Sequence, residues 1–401
     1  MSVCVVGLGY IGLPTALMLA AHGIEVNAID CNPEIVEKLR NHQLSFSEKG
    51  LEELYASAIK GAIRFHTECV PGNMYIVAVP TPYLEESKKI DPQYVVNAVR
   101  EVLQVCEEGA ILVIESTVSP GTIDSYIRPL LESSCRTVHL AHAPERIIPG
   151  NMIYELEHNS RIIGCDNTEV GTRIKEIYSS FCKGEFVITD IRTAEMTKVV
   201  ENTFRDINIA YANELAKICR KANLNVYEII RIANMHPRVN ILQPGPGVGG
   251  HCISVDPWFL VGDFPDESNL IRCAREVNSA MPEFVLQRIR EIMRENHIQD
   301  FSRVGIYGLT YKENVDDIRE SPSLQLLAAF KEENLPSPAV YDPYILATIT
   351  DNQYADFQTF INACDMVVVM VAHAHIKENR HRLTDKFVLD TRNIFEDAYK
   401  L

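Results

Sequence analysis

The 401-residue sequence predicts an α/β protein in which two α/β regions flank a helical middle. Three observations carry that expectation. Short Val/Ile-rich runs alternate with amphipathic stretches over the first third, as βαβ units on a parallel sheet require. One helical pattern of about 30 residues starts at Thr193, long for a globular domain. A second α/β pattern begins after Ser302.

In the first third the apolar runs are 3–7, 25–30, 74–80, 110–116, 137–145 and 160–164, with helix-like segments such as 33–43 and 92–106 between them. In the middle, Met196, Val199, Val200, Phe204, Ile207, Tyr211, Leu215 and Ile218 fall on one helical stripe, which suits a spine between domains or a subunit interface. More helix is expected to about 235, then a glycine-rich loop, then one helix over 268–296. The last region reads as a strand and turn at 303–312 and strands at 338–343, 365–373 and 386–392, with a helix over 321–334 that has Pro322 near its start. The expected domains are 1–190, 191–298 and 299–401.

Hydrophobic residues make up 46% and charged residues 23%, the profile of a globular protein. A net charge of −16 argues against nucleic acid or an anionic membrane as partner, and leaves room for a local basic pocket. No apolar run reaches membrane-spanning length. The eleven cysteines are odd in number and none pairs as C-x-x-C, so reduced thiols and a cytoplasmic setting are expected. No metal site is expected: His251 and Cys252 are adjacent, and the histidine pairs 139/142 and 373/375 read as packing or surface residues.

"VVGLGYIGLP" sets Gly7, Gly9 and Gly12 in the G-x-G-x-x-G spacing, after an apolar strand and opening a helix. The first glycine permits a turn, the second lets a pyrophosphate approach the backbone, and the third lets helix and strand pack closely. Asp30 ends the next strand, where a carboxylate accepts hydrogen bonds from an adenosine ribose and disfavours a 2′-phosphate. The expected cofactor is NAD on a Rossmann-like domain.

"PGPGVGGHCISVDPW" (244–258) surrounds Cys252 with glycines. A lone cysteine is most often a small buried hydrophobe. Here Gly247, Gly249 and Gly250 let the backbone crowd close to whatever the loop holds, their flexibility suits a loop that closes over a ligand, and Asp256 lies four residues on. Beside a nicotinamide, a thiolate can attack an aldehyde and carry it to a thioester that water hydrolyses. Lys198, Asn202 and Arg205 share one helix face, away from the apolar stripe.

Taken together, "GLGYIGLP", "ESTVSPGT" (115–122), "APERIIPG" (143–150), "KVVENTFRDINIAYANE" (198–214), "GVGGHC" (247–252) and "GLTYKENVDDIRESP" (308–322) resemble, in order, the motifs of the UDP-glucose/GDP-mannose dehydrogenase family. The resemblance implies an NAD-dependent, four-electron oxidation of a nucleotide sugar's C6 alcohol. It also implies an N-terminal Rossmann-like NAD-binding domain, a central long-helix region that forms a homodimer, and a C-terminal Rossmann-like UDP-sugar-binding domain. By the same resemblance Cys252 is the nucleophile, Lys198 the proton-transferring group and Asn202 an oxyanion donor. Asp256, Glu145 and Thr117 serve the hydrolytic water. Tyr10, Ile11, Asp30, Thr81, Thr117 and Arg319 fall at NAD positions. Arg146, Ile147, Lys198, Asn202, Arg205, His236, Arg238, Gly249, Tyr311, Lys312 and Arg392 fall at substrate positions.

Two departures matter. UDP-glucose dehydrogenases carry an acidic residue where Pro149 stands, and their cysteine loop reads G-G-S/Y-C-F-P-K-D. "PERIIPG" and "GGHCISVDPW" resemble the branch oxidising UDP-N-acetylhexosamines, and Val255 and Trp258 point to UDP-N-acetyl-D-mannosamine. UDP-N-acetyl-D-glucosamine and UDP-glucose remain alternatives. A two-electron 3-hydroxyacid-type dehydrogenase would have no use for residues 303–401, and a non-catalytic NAD sensor would have none for Lys198, Asn202 and Cys252 together.

Overall fold

The computed structural model describes residues 2–401. The chain forms two compact units, one of residues 1–201 with 258–263, the other of residues 202–257 with 264–401.

The first unit is built on eight strands: β1 (Ser2–Val6), β2 (Glu25–Ile29), β3 (Ile63–His66), β4 (Met74–Val77), β5 (Ala110–Ile114), β6 (Val138–His142), β7 (Arg161–Cys165) and β8 (Phe186–Thr189). Their order is β3-β2-β1-β4-β5-β6-β7-β8. The centre of this doubly wound sheet is covered on both faces, so β1, β4 and β5 are buried almost throughout and read as continuous apolar runs. The sequence pattern shows neither β3 nor β8, because "IRFH" and "FVIT" are half-buried edge strands of only four residues. One pairing also departs from the expected parallel sheet: β6 and β7 run antiparallel, with Ala141 opposite Cys165 and His142 opposite Gly164.

The second unit holds a four-stranded parallel sheet of β9 (Val304–Tyr307), β10 (Ala339–Tyr341), β11 (Met366–Val369) and β12 (Phe387–Asp390), in the order β10-β9-β11-β12. The expected single helix over 268–296 is two, Asn269–Ser279 and Met281–Glu295. They are separated at Ala280, and Pro282 occupies the first turn of the second, where its missing N–H costs nothing.

The spine helix runs from Ile191 to Ala222. Much of its polar face is buried, whereas half of its apolar stripe is exposed and Val199 alone of that stripe is fully buried, a departure from an ordinary surface helix. Glu195, Lys198, Asn202, Asp206 and Asn213 are buried, whereas Val200, Phe204, Tyr211 and Ile218 are exposed, Phe204 by 63%. Buried polar groups at this density must be satisfied. In the second unit Asp206 Oδ1 accepts from Arg275 Nη1 at 2.6 Å and from Asn278 Nδ2 at 2.8 Å. Asn213 donates to Asn278 Oδ1 at 2.8 Å and accepts the Gly245 N–H at 2.8 Å.

Replacing Arg275 by Met strands the Asp206 carboxylate in the interior. A loss of about 3–5 kcal/mol in urea unfolding is expected, the range for breaking one side of a buried ion pair. A loss below about 1 kcal/mol means that the pair is not what holds this face.

Candidate active site

The three N-terminal glycines have three separate physical reasons. Gly7 has φ +93° and donates its N–H to the Ile29 carbonyl at 2.8 Å. A Cβ on Gly12 would collide with the Gly7 carbonyl oxygen, so strand and helix could not approach as they do. A Cβ on Gly9 would meet nothing within 4 Å, which leaves open backbone at the start of the helix Gly12–Ala21. Helix N-terminal N–H groups beside bare backbone suit a pyrophosphate. Asp30 lies just past β2, its Oδ2 accepting the Leu8 N–H at 2.8 Å and its Oδ1 the Asn32 N–H at 2.9 Å. Spare lone pairs on both oxygens remain for ribose hydroxyls. Tyr10 stacks on Phe46 with ring centroids 4.2 Å apart, Ile11 is half-buried and Thr81 is buried. These residues fit a dinucleotide.

The loop after β5 carries Thr117, half-buried, and is tied down on both sides. Ser116 holds Val79 through two hydrogen bonds, at 2.8 and 2.7 Å, and Ser119 donates to Asp263. Glu195 of the spine helix accepts the N–H groups of Gly121 at 2.6 Å and Ile123 at 2.9 Å. Burial pushes the Glu195 carboxyl up to about 7, against the pull of those two N–H groups. Lys198 follows three residues on and is buried. After β6, Glu145 is buried, accepts the Arg146 N–H at 2.7 Å and pairs with Arg161. The Arg146 side chain pairs with Glu201 and bonds to Ser160, and Ile147 is buried.

In the second unit Asn202 Nδ2 donates to Asp256 Oδ2 at 2.6 Å, both side chains being buried. Cys252 is exposed, and its carbonyl accepts the N–H groups of Val255 and Asp256 at 3.1 and 2.8 Å, turning the chain into the helix Asp256–Asp263. The glycines of this loop serve close packing as well as turning. A Cβ on Gly249 would lie 2.8 Å from Tyr311 Cβ, and one on Gly250 2.7 Å from the Tyr311 ring. Gly250 also donates its N–H to the Arg319 carbonyl at 3.0 Å. Arg319 is itself held by Asp317 through Nε and Nη2.

Tyr311 and Lys312 sit on a loop fixed by a buried Asp–His pair. Asp342 Oδ2 accepts the Leu309 N–H at 2.6 Å and lies 3.3 Å from His373 Nε2, while His373 Nδ1 accepts the Asn314 N–H at 2.9 Å. Those two partners assign the imidazole proton to Nε2. Arg205 is half-buried, His236 and Arg238 are exposed after the helix Val226–Ala233, and Arg392 Nη1 approaches Gly245. Thus the structure groups Glu145, Thr117 and Lys198 with the dinucleotide elements in one unit, and Cys252, Asn202, Asp256, Tyr311 and Lys312 in the other.

Sequence reasoning misses several supporting residues. Arg161 reads only as the start of an apolar strand, and Glu195 and Glu115 as ordinary acids. Trp258, which in the sequence points to the sugar, packs with its ring 4.8 Å from the Lys88 ammonium, itself 5.0 Å from the Tyr83 ring. Among the described residues no group of His, Cys, Asp and Glu side chains could hold a metal ion, and no helix is long and apolar enough to cross a membrane.

A doubly wound sheet with this glycine turn defines a dinucleotide-binding protein. The chain belongs to the UDP-glucose/GDP-mannose dehydrogenase family: its NAD-binding domain matches residues 1–182, its central domain 192–280 and its UDP-binding domain 305–397. Its relatives include the UDP-N-acetyl-D-mannosamine dehydrogenase of Methanococcus vannielii, 43% identical over 98% of this chain and 92% of that one. Another is the NDP-N-acetyl-D-galactosaminuronic acid dehydrogenase of Ralstonia nicotianae, 39% identical over 98% and 96%. The solved UDP-N-acetyl-mannosamine dehydrogenase of Staphylococcus aureus superposes with a TM-score of 0.88 at 38% identity, covering 100% of this chain and 97% of that one.

Gly9→Ala separates ligand approach from folding. Its Cβ has open space, so the melting temperature should stay within about 2 °C of the parent, while KM for NAD rises by roughly tenfold. An unchanged KM would remove Gly9 from the cofactor's reach.

Proposed function

We propose that this nucleotide-sugar dehydrogenase oxidises the C6 alcohol of UDP-N-acetyl-D-mannosamine to the carboxylate through a thioester on Cys252. The observation that carries the sugar is the "GGHCISVDPW" loop together with the relatives named for that substrate. The name of the Ralstonia relative favours, as a second reading, an N-acetylgalactosamine-derived nucleotide sugar.

Two NAD molecules, bound one after the other, would each accept one hydride, the first from the C6 alkoxide and the second from the thiohemiacetal. Lys198 takes the C6 hydroxyl proton and steadies the alkoxide, and Asn202, whose other N–H is held by Asp256, donates to the same developing oxyanion. The Cys252 thiolate then adds to the aldehyde carbon, forming the C–S bond and a new alkoxide, which loses a second hydride to give the thioester. Asp256 and Glu145, with Thr117, position and deprotonate the water that adds to the acyl carbon, and the Cys252 thiolate leaves. Arg205, His236, Arg238, Tyr311, Lys312 and Arg392 hold the diphosphate, uracil and ribose. Guanidinium forks suit the diphosphate, which is how a chain of net charge −16 takes an anionic substrate. Residues 1–190, 191–298 and 299–401 act as NAD-binding, central and UDP-sugar-binding domains, and the odd cysteine count favours the cytoplasm.

The exposed stripe of Val200, Phe204, Tyr211 and Ile218 supports a homodimer through the spine helix, since a contiguous apolar face of this length is costly in water. Phe204→Glu should turn a sedimenting dimer into a monomer. A parent protein that sediments as a monomer would remove the interface.

Two NADH should form per sugar consumed. The test is NADH absorbance with UDP-N-acetyl-D-mannosamine, its gluco and galacto counterparts and UDP-glucose. Highest kcat/KM on another sugar overturns the substrate. A ratio of one, with free aldehyde, overturns the thioester. Cys252→Ser should lower kcat by roughly two to four orders of magnitude, the scale for losing a nucleophile or its proton partner.

A further inference from the structure

Beneath the candidate site in the first unit lie two buried charged groups, Arg161 and Glu115, that the mechanism above does not use. Arg161 opens β7, and its side chain is 5% exposed. It stands between two carboxylates, pairing with Glu145 through Nη2 and lying 3.4 Å from Glu115 Oε1 through Nη1. The Tyr178 and Phe181 rings face the guanidinium at 4.2 and 5.3 Å. Glu115 is fully enclosed. Its Oε1 also accepts the Tyr178 hydroxyl at 2.9 Å, and its Oε2 faces the Thr15 hydroxyl at 3.3 Å. Thr15 lies on the helix that opens at Gly12.

The antiparallel pairing of β6 and β7 makes this possible. Continuing the register of Ala141 with Cys165 and His142 with Gly164 by three residues sets position 145 opposite 161. In a parallel seventh strand residue 161 would start at the opposite edge of the sheet. One guanidinium cannot neutralise two buried carboxylates, and an uncompensated buried charge is very costly. The closer contact is with Glu145. The groups facing Glu115 are Arg161, Glu145, Tyr178 and Thr15, and when the acid is protonated the Thr15 hydroxyl, which otherwise donates to Oε2, can turn to accept its O–H.

We propose that Arg161 is the positioning residue for Glu145, and that Glu115 keeps its proton at neutral pH so that the guanidinium charge serves Glu145 alone. Burial, opposed by Arg161, pushes Glu115 up to about 7, in the same direction. The inference rests on the reading of Glu145 as a site residue.

The test is the pH profile of kcat/KM for the NAD-loaded enzyme. Arg161→Met removes the cation paired with Glu145 and should move the acidic limb to higher pH. It should lower kcat by roughly tenfold with KM for the sugar little changed, a coupling of ordinary size within one hydrogen-bonded network. Arg161→Lys keeps a cation, so it should restore most of the limb; it also stands in if the Met variant does not fold. Glu115→Gln mimics the protonated acid and should leave the limb in place and kcat within about twofold. A folded Arg161→Met with an unmoved limb overturns the positioning role. A Glu115→Gln variant that moves the limb overturns the retained proton. Glu145→Gln with unchanged kcat would instead overturn the reading of Glu145, whatever Arg161 does.

Discussion

The buried polar face of the spine helix is the constraint on which the other elements depend. A helix that turns Glu195, Lys198, Asn202, Asp206 and Asn213 inward must find partners for each, since an unsatisfied buried polar group costs about 1–3 kcal/mol. Several of those partners are loops, which are thereby fixed in place. In the first unit Glu195 fixes the turn at Gly121 and Ile123 that follows Thr117. In the second, Asn208 and Asn213 fix Leu242 and Gly245, which lead into the cysteine loop, and Asn202 fixes Asp256, which leads out of it. Catalytic candidates such as Lys198 and Asn202 are therefore drawn from the same face that organises the backbone around them.

That arrangement explains which parts of the structure were legible in the sequence. The glycine turn, the long helix and the buried strands are local patterns, so β1, β4, β5, β9 and β11 fall where the apolar runs place them. The helical stripe was legible as a pattern but not as a surface. Periodicity says which residues share a face, and only tertiary packing says whether that face turns inward. Val200 and Phe204 lie outside because the opposite face holds the charges. Edge strands β3 and β8 and the reversal at β7 were not legible, because pairing direction is set between strands far apart in the chain. For the same reason Arg161 carried no signal: its role needs Glu145 sixteen residues earlier, brought opposite by the reversal. His373, which reads as a packing residue, turns out to define the loop that bears Tyr311 and Lys312.

The two Rossmann-like sheets use the same first turn for different ends. Gly7 and Gly308 both have φ +93°, and donate their N–H groups to Ile29 and Tyr341 at the end of the neighbouring strand. The next residue, Leu8 or Leu309, donates its N–H to an aspartate just beyond that strand, Asp30 at 2.8 Å or Asp342 at 2.6 Å. Past that point they diverge. Asp30 stays half-buried with lone pairs to spare, and Gly9 leaves bare backbone beside it, so the turn stays open to a ligand. Asp342 is fully enclosed against His373, and Thr310, where the first turn has Gly9, folds its hydroxyl back onto the Lys312 carbonyl at 2.8 Å. The carboxylate that keeps lone pairs free in the first domain is thus committed in the second to shaping a loop. The loop presents the side chains of Tyr311 and Lys312, so one backbone turn stays open in one domain and becomes a rigid loop mount in the other.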